Sequence, residues 1–331
     1  MTGSRPLAVS LIGAGDFART TLLPLLRSHR VALRGIVDRN PASASVAAAR
    51  FGAKFSSTDP DAVLTDARTE AVFISTYHDS HAPLTVSALA QGKMIFVEKP
   101  PVVSHSQLTD LVEAWKNHPG FVCVGYNRRF APAVREVMPL LRQEKGPVTV
   151  TCIVREIEIP HTHWYYWPKE GTRILGNMCH WVDLAYFLTG RATPHQVAGL
   201  TAPRGRFDDN CSATISFADG SMATIIFSGR GDQMQGAQEF IEIRRGGLTA
   251  QIHDFHELRV LRDGRWRRHW RGFRDKGHTR EIEKVVRAMR DGKPTPIKFS
   301  ELVTTSRITL AIREALENSA IVNVNQGTEV S

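Results

Sequence analysis

A strand that runs straight into a glycine turn and then a helix leaves a chain few folds to choose from, and residues 7–29 read that way. "LAVSLIGAGDFA" is an apolar run ending in Gly13-Ala14-Gly15-Asp16-Phe17-Ala18, and "ARTTLLPLLRSH" continues with helical spacing. Gly13 permits the tight turn, Gly15 lets a backbone approach a pyrophosphate, and Ala18 keeps the helix close to the strand. The helix N-terminus offers N–H groups and a positive dipole end to phosphates. A second apolar strand, "VALRGIVD", ends in Asp38, twenty residues after Ala18. An acid there suits the adenosine ribose hydroxyls and favours NAD, because it repels a 2′-phosphate. Arg39 pulls the other way, since an arginine pairs with such a phosphate, so NADP stays open. The glycine turn, Asp16, Phe17, Asp38 and Arg39 make up the expected adenosine side of a cofactor site.

The β–α alternation goes on. "AVFIST" is a short apolar strand, "APLTVSALAQG" a helix closed by Gly92, and "MIFVE" another strand. Parallel strands covered on both faces look like this, and ligands bind beyond their carboxyl ends. Those ends carry Thr76-Tyr77-His78 and Glu98-Lys99-Pro100. At 331 residues the chain is long enough for about two domains. We expect an α/β fold class: a Rossmann domain over 1–123, then a second domain over 124–331.

The second half contains "GTRILGNMCHWVDL", which sets Cys179, His180 and Asp183 within five residues. Adjacent helical residues point about 100° apart, so Cys179 is not placed to use His180 as its base, and it reads as a packed thiol. "WVDLAYFL" has helical spacing, which puts His180 near a helix start, where the dipole disfavours imidazolium. The four cysteines, Cys123, Cys152, Cys179 and Cys211, form no C-x-x-C pair, against both a disulfide framework and a zinc ribbon. His78 and His81 form an H-x-x-H spacing and His161 and His163 an H-x-H. Neither comes with a third ligand, so no metal is expected.

Net charge is 42 − 33 = +9, and no apolar run reaches the roughly 18 residues that span a bilayer. With no signal-type cleavage site, the expectation is a soluble, cytoplasmic protein without membrane or nucleic-acid partners. Much of the charge lies in "LRVLRDGRWRRHWRGFRDKGH", where Asp263-Gly264 reads as a hairpin turn. Its arginines and tryptophans suit a solvated hairpin face or an oligomer contact better than nucleic acid.

Three segments carry a family resemblance. "STYHDSHAPLTVSALAQGKMIFVEKPP", "VGYNRRFAP" and "CHWVDLAYFLTG" resemble the signatures of the glucose–fructose oxidoreductase, inositol dehydrogenase and MocA family. The resemblance implies that residues 124–331 form an α+β domain with a large, mostly antiparallel sheet, for substrate binding and oligomerisation. It implies NAD or NADP, and hydride transfer on a hydroxyl of a sugar, polyol or related molecule. It also implies a cis Lys99–Pro100 peptide and a loop at Thr76, Tyr77, His78 and His81 lining the cofactor. Tyr77 stands where the family usually has proline, and His78 where it has asparagine. Asn127 and Arg128 are expected over the cofactor, with a guanidinium able to steer an anionic or hydroxyl-rich substrate.

Removing a hydroxyl proton as a hydride leaves needs a group whose pKa lies near the working pH. Lys99 is the expected base or electrostatic clamp, oriented by Glu98, with His180 as the second catalytic residue. The family pattern Asp-x-Gly-x-His-x-x-Asp is only half present: His180 and Asp183 match, but Gly176 and Met178 replace the first acid and the glycine. Asn177 beside the vacancy offers a neutral amide, and Asp183 reads as structural. The aromatic run Trp164, Tyr165, Tyr166 and Trp167, with His161, His163, Lys169 and Arg173, reads as a substrate wall. The expected substrate contacts are Lys99, Asn127, Arg128, Tyr165, Arg173, Asn177 and His180. A homodimer or homotetramer is expected. Two rival readings are a hydrolase-type member that retains NAD through each turnover, and a non-catalytic nucleotide sensor.

Overall fold

The computed structural model describes residues 5–324 apart from 30, 161, 203–209, 233 and 235; His161 thus lies outside the described residues. Two compact units emerge. One holds the chain up to Gly125 and takes back Thr279–Val303; the other holds Tyr126–His278 and the chain from Thr304. A single cut between 123 and 124 therefore misses the return of 279–303 to the first unit.

The first unit is built on six strands: β1 (Ala8–Ile12), β2 (Ala32–Val37), β3 (Phe55–Ser57), β4 (Ala71–Ile74), β5 (Met94–Val97) and β6 (Val122–Val124). Their spatial order is β3-β2-β1-β4-β5-β6, all parallel. This is the Rossmann order, and it reverses direction between β1 and β4. β4, "AVFI", is buried at every position, as a strand covered on both faces must be. Local chemistry sets the helix ends. Asn40 caps Pro41–Phe51 by accepting from the N–H groups of Ala42 and Ser43, and Ser104 caps His105–Asn117 by accepting from Gln107 N–H.

The second unit holds a nine-stranded sheet: β7 (Val148–Arg155), β8 (Pro194–Thr201), β9 (Asn210–Phe217), β10 (Met222–Ser228), β11 (Gln238–Arg245), β12 (Leu248–His253), β13 (Glu257–Arg262), β14 (Arg265–Arg271) and β15 (Ile321–Asn323). The order is β14-β13-β12-β11-β7-β10-β9-β8-β15. Only the β7–β10 pair is parallel; the others are antiparallel. β7 and β9 alternate buried and less buried positions, the period of a sheet with one covered face. Val150, Cys152, Ile225 and Ile241 point into a core shared with Val134, Val137, Trp181 and Leu184 of the helices Pro132–Gln143 and Cys179–Leu188. β13 and β14 join through the expected two-residue turn, in which Asp263 and Gly264 both have positive φ, 53° and 71°.

Candidate active site

Gly13 ends β1 with φ 97°, and a Cβ there would lie 2.3 Å from the Ser75 carbonyl oxygen, so only glycine fits between the β1 and β4 loops. Backbone bonds stitch the strand ends together: Gly13 N–H donates to Val37 O (2.8 Å) and Ser75 N–H to Ile12 O (2.8 Å). Gly15 is the opposite case. Nothing lies within 4 Å of its Cβ position, which leaves the backbone open to a pyrophosphate. Asp16 and Phe17 start the following helix; Asp16 pairs with Arg19 (2.6 Å) and Phe17 is exposed. Asp38 is anchored at both oxygens. Oδ2 accepts from Ala14 N–H (2.7 Å) and Oδ1 from Asn40 N–H (2.8 Å), and each keeps a lone pair for a ribose hydroxyl. These residues fit a dinucleotide.

The β4 loop is braced internally. Ser80 Oγ donates to Thr76 Oγ1 (2.7 Å) and Tyr77 O (2.8 Å) in alternative geometries. His78 is buried, with its ring 5.9 Å from that of His81. His81 is buried between two carbonyls, Nδ1 at 2.8 Å from Pro100 O and Nε2 at 3.1 Å from Thr76 O. A neutral ring has one N–H and donates to one of these carbonyls at a time, and the pair of contacts braces the β4 loop against the β5 loop. Burial pushes its pKa down to about 4, although both carbonyls favour the charged ring. Among the described residues no three His, Cys, Asp or Glu side chains gather in a metal-holding group.

Glu98 and Lys99 follow β5, and Lys99–Pro100 is cis. Lys99 is half-buried. The Glu98 carboxyl is buried against Gly125, where any Cβ would come within 2.9 Å of it. Desolvation pushes its pKa up to about 7, opposed by the Lys99 charge and backbone N–H. The fold therefore favours neutral Glu98. Stability tied to it is fully present below about 4.5, the ordinary value, and is lost as pH rises through about 7. The stability gain of Glu98→Gln over the parent should accordingly grow from about pH 4.5 and level off above about pH 7 in thermal melts. A pH-independent difference would refute this.

The second unit brings a different set together. Helical backbone begins at Arg173, passes through a π turn, Ile174–Met178, and continues as Cys179–Leu188. His180 is therefore two turns inside a continuous helical run, not near its start. A helix dipole acts within its first turn, so it gives His180 none of the expected help. The His180 ring is buried and meets Tyr126 edge-on at 6.4 Å. Burial, and then nearby Cys179 and Asp183, push the Tyr126 phenol well above its ordinary range; its hydroxyl bonds Ser306. Cys179 is a buried thiol outside any disulfide. Asp183 takes both bonds of the Arg129 guanidinium, Nε to Oδ2 at 2.9 Å and Nη2 to Oδ1 at 2.5 Å, with both side chains at most 3% exposed.

Arg128 is 6% exposed, pairs with Glu239 (2.7 Å) and lies over the Trp181 ring (4.5 Å). Its charge is matched inside the unit by the Glu239 carboxylate. Lys276 also pairs with Glu239 (2.9 Å), and Asn127 Nδ2 donates to Lys276 O (2.8 Å). Arg173 is buried, donates to Ile157 O (3.0 Å) and lies over Phe227 (5.2 Å). Asn177 is half-buried within the π turn. Tyr165 packs edge-on against Trp164 (4.4 Å) and His163 (4.9 Å), and Trp167 is 46% exposed. Tyr126, Glu239 and Lys276 escaped the sequence reading. Glu239 left a trace, a charge at an inward position of β11 in register with Ile241 and Ile243.

Two family models match the chain. One, described as an oxidoreductase family with an NAD-binding Rossmann fold, covers residues 7–126; the other, a GFO/IDH/MocA C-terminal domain, covers 146–244. The uncharacterized oxidoreductase YrbE of Bacillus subtilis is 24% identical over 67% of this chain and 67% of its own length. An inositol 2-dehydrogenase of Acidothermus cellulolyticus is 32% identical over 57% of this chain and 55% of its own. The matched stretches thus span about half to two thirds of these curated relatives. A solved structure of levoglucosan dehydrogenase with NADH and levoglucosan has the same fold, at TM-score 0.86 and 19% identity, covering 97% of this chain and 100% of that one.

Proposed function

This chain belongs to the GFO/IDH/MocA family of NAD-binding oxidoreductases, and from that premise we propose that it moves a hydride between the nicotinamide and a hydroxyl-bearing carbon of a sugar, cyclic polyol or sugar derivative. The reading is carried by the open Gly15 backbone beside the doubly anchored Asp38, a cradle for the pyrophosphate and ribose. NAD, when bound, supplies the hydride acceptor. Lys99 holds or takes the proton at the substrate hydroxyl oxygen, with Glu98 setting the charge beside it. His180 is the second acid–base group, and the half-buried Tyr165 offers a ring face for the apolar side of a sugar. Arg173, Asn127 and Asn177 supply polar contacts. The relatives named for inositol and levoglucosan support this substrate class.

The test is a titration with NAD and NADP followed by an absorbance screen of sugars, inositols and amino sugars. Net reduction of added NAD supports the reading; tightly retained cofactor with no net absorbance change on any substrate overturns it. On the best substrate, His180→Ala should lower kcat/KM by about a hundredfold or more. Wild-type kcat and kcat/KM in that variant would remove His180 from the chemistry.

We place the protein in the cytoplasm, consistent with four cysteines outside any disulfide; none of its described helices is long and apolar enough to cross a membrane. A homodimer or homotetramer is supported by Ile153, Ile226 and Met222, more than two-fifths exposed on the second sheet, with Ile226 in register with Ile153.

A further inference from the structure

Arg39 follows β2 and Tyr77 follows β4, the two strands that flank β1. Their side chains meet: the Arg39 guanidinium carbon lies 4.4 Å from the centre of the Tyr77 ring. The stack therefore joins the strand ends on either side of the glycine turn, beside the anchored Asp38. A 2′-phosphate at the ribose would stand next to the Asp38 carboxylate and be repelled by it. Arg39 is the adjacent residue that could offset this, and its exposed guanidinium is held on the tyrosine face. To pair with a phosphate it must leave the ring. At an exposed site such a stack shifts an equilibrium about two- to fivefold.

We propose that Tyr77 is a cofactor-specificity residue: it holds Arg39 on its ring, so that Asp38 alone reads the ribose and NAD is selected over NADP. The inference rests on NAD binding at this loop. It assigns Tyr77 a role through Arg39 and gives Arg39 no contact with a 2′-phosphate in the parent protein.

The test uses the full chain and the fluorescence of NADH and NADPH, read as the ratio of the NADPH Kd to the NADH Kd. Tyr77→Leu should lower this ratio about two- to fivefold, because the released guanidinium reaches the phosphate. Tyr77→Phe keeps the ring face and should keep the parent ratio. Arg39→Ala alone should shift the ratio less than about twofold, and Arg39→Ala added to Tyr77→Leu should cancel the gain. A larger rise in the ratio from Arg39→Ala alone would mean that Arg39 already serves the phosphate and would overturn the proposal. So would an unmoved ratio in Tyr77→Leu, or a Tyr77→Phe that behaves like Tyr77→Leu. If neither nucleotide binds the parent protein, the cofactor reading fails and this inference with it; if both bind and the ratio does not move, this inference alone fails.

Discussion

Lys99→Ala should lower kcat by about a hundred- to ten-thousandfold while NADH still binds. The glycine turn and Asp38, proposed to hold the adenosine end, follow other strands, and Asp38 is set by the backbone N–H groups of Ala14 and Asn40. What the variant loses is a cation that can also give up a proton. Lys99→Arg separates the two roles. A guanidinium keeps the charge but cannot act as a base, so an electrostatic clamp would survive it and a base would not. A second readout needs no turnover. The Lys99 charge holds the Glu98 carboxyl down against its burial, so its removal should push that pKa further up. In a Lys99→Ala background the stability gain of Glu98→Gln should then level off at a higher pH than in the parent. A kcat within tenfold of the parent in Lys99→Ala would remove the residue from the chemistry.

The largest loss of stability is expected at Arg129 and Asp183. The pair makes two bonds, deep in the second unit, with Thr305 Oγ1 adding a longer contact to Asp183 at 3.5 Å. Removing one member leaves a buried charge without its partner, which costs about 3–5 kcal/mol. For a domain of this size that is a fall in Tm of roughly 10 °C. Arg129→Ala and Asp183→Ala should each show it in a circular-dichroism melt. The double change Arg129→Met with Asp183→Leu should cost less than either, because it removes both charges at once. Either single variant melting within about 2 °C of the parent would contradict the assignment. The expected fall in Asp183→Ala would mark Asp183 as a structural residue, held by Arg129.

The first unit was legible because its signals are local. The signals there are written within a few residues: the Gly13–Ala18 turn, Asp38 at the close of β2, Gly92 after the helix that precedes β5. The second unit was legible in the helical spacing of "WVDLAYFL" and at the Asp263-Gly264 turn. Its polar interior was not. Arg128 and Glu239 are 111 positions apart, and no local pattern says that one guanidinium will be matched inside the protein while another stays open. The setting of His81 is long-range in the same way: its ring nitrogens face carbonyls 5 and 19 positions away. The return of 279–303 to the first unit likewise depends on packing, since the helix His278–Arg290 looks the same whichever unit it joins.

The π turn at Ile174–Met178 changes how this helix should be compared with others. It carries an extra residue where an unbroken α-helix would have none, shown by Cys179 N–H reaching back to Ile174 O. Counting four positions back from His180 lands on Gly176, but in an unbroken helix the same count reaches a different direction in space. A single-residue deletion inside the turn would restore regular pitch and swing everything upstream, Arg173 included, by about 100° about the helix axis. Length changes of one residue at this point act as a gear shift: His180 stays where it is, and a new set of side chains is dealt to its neighbourhood.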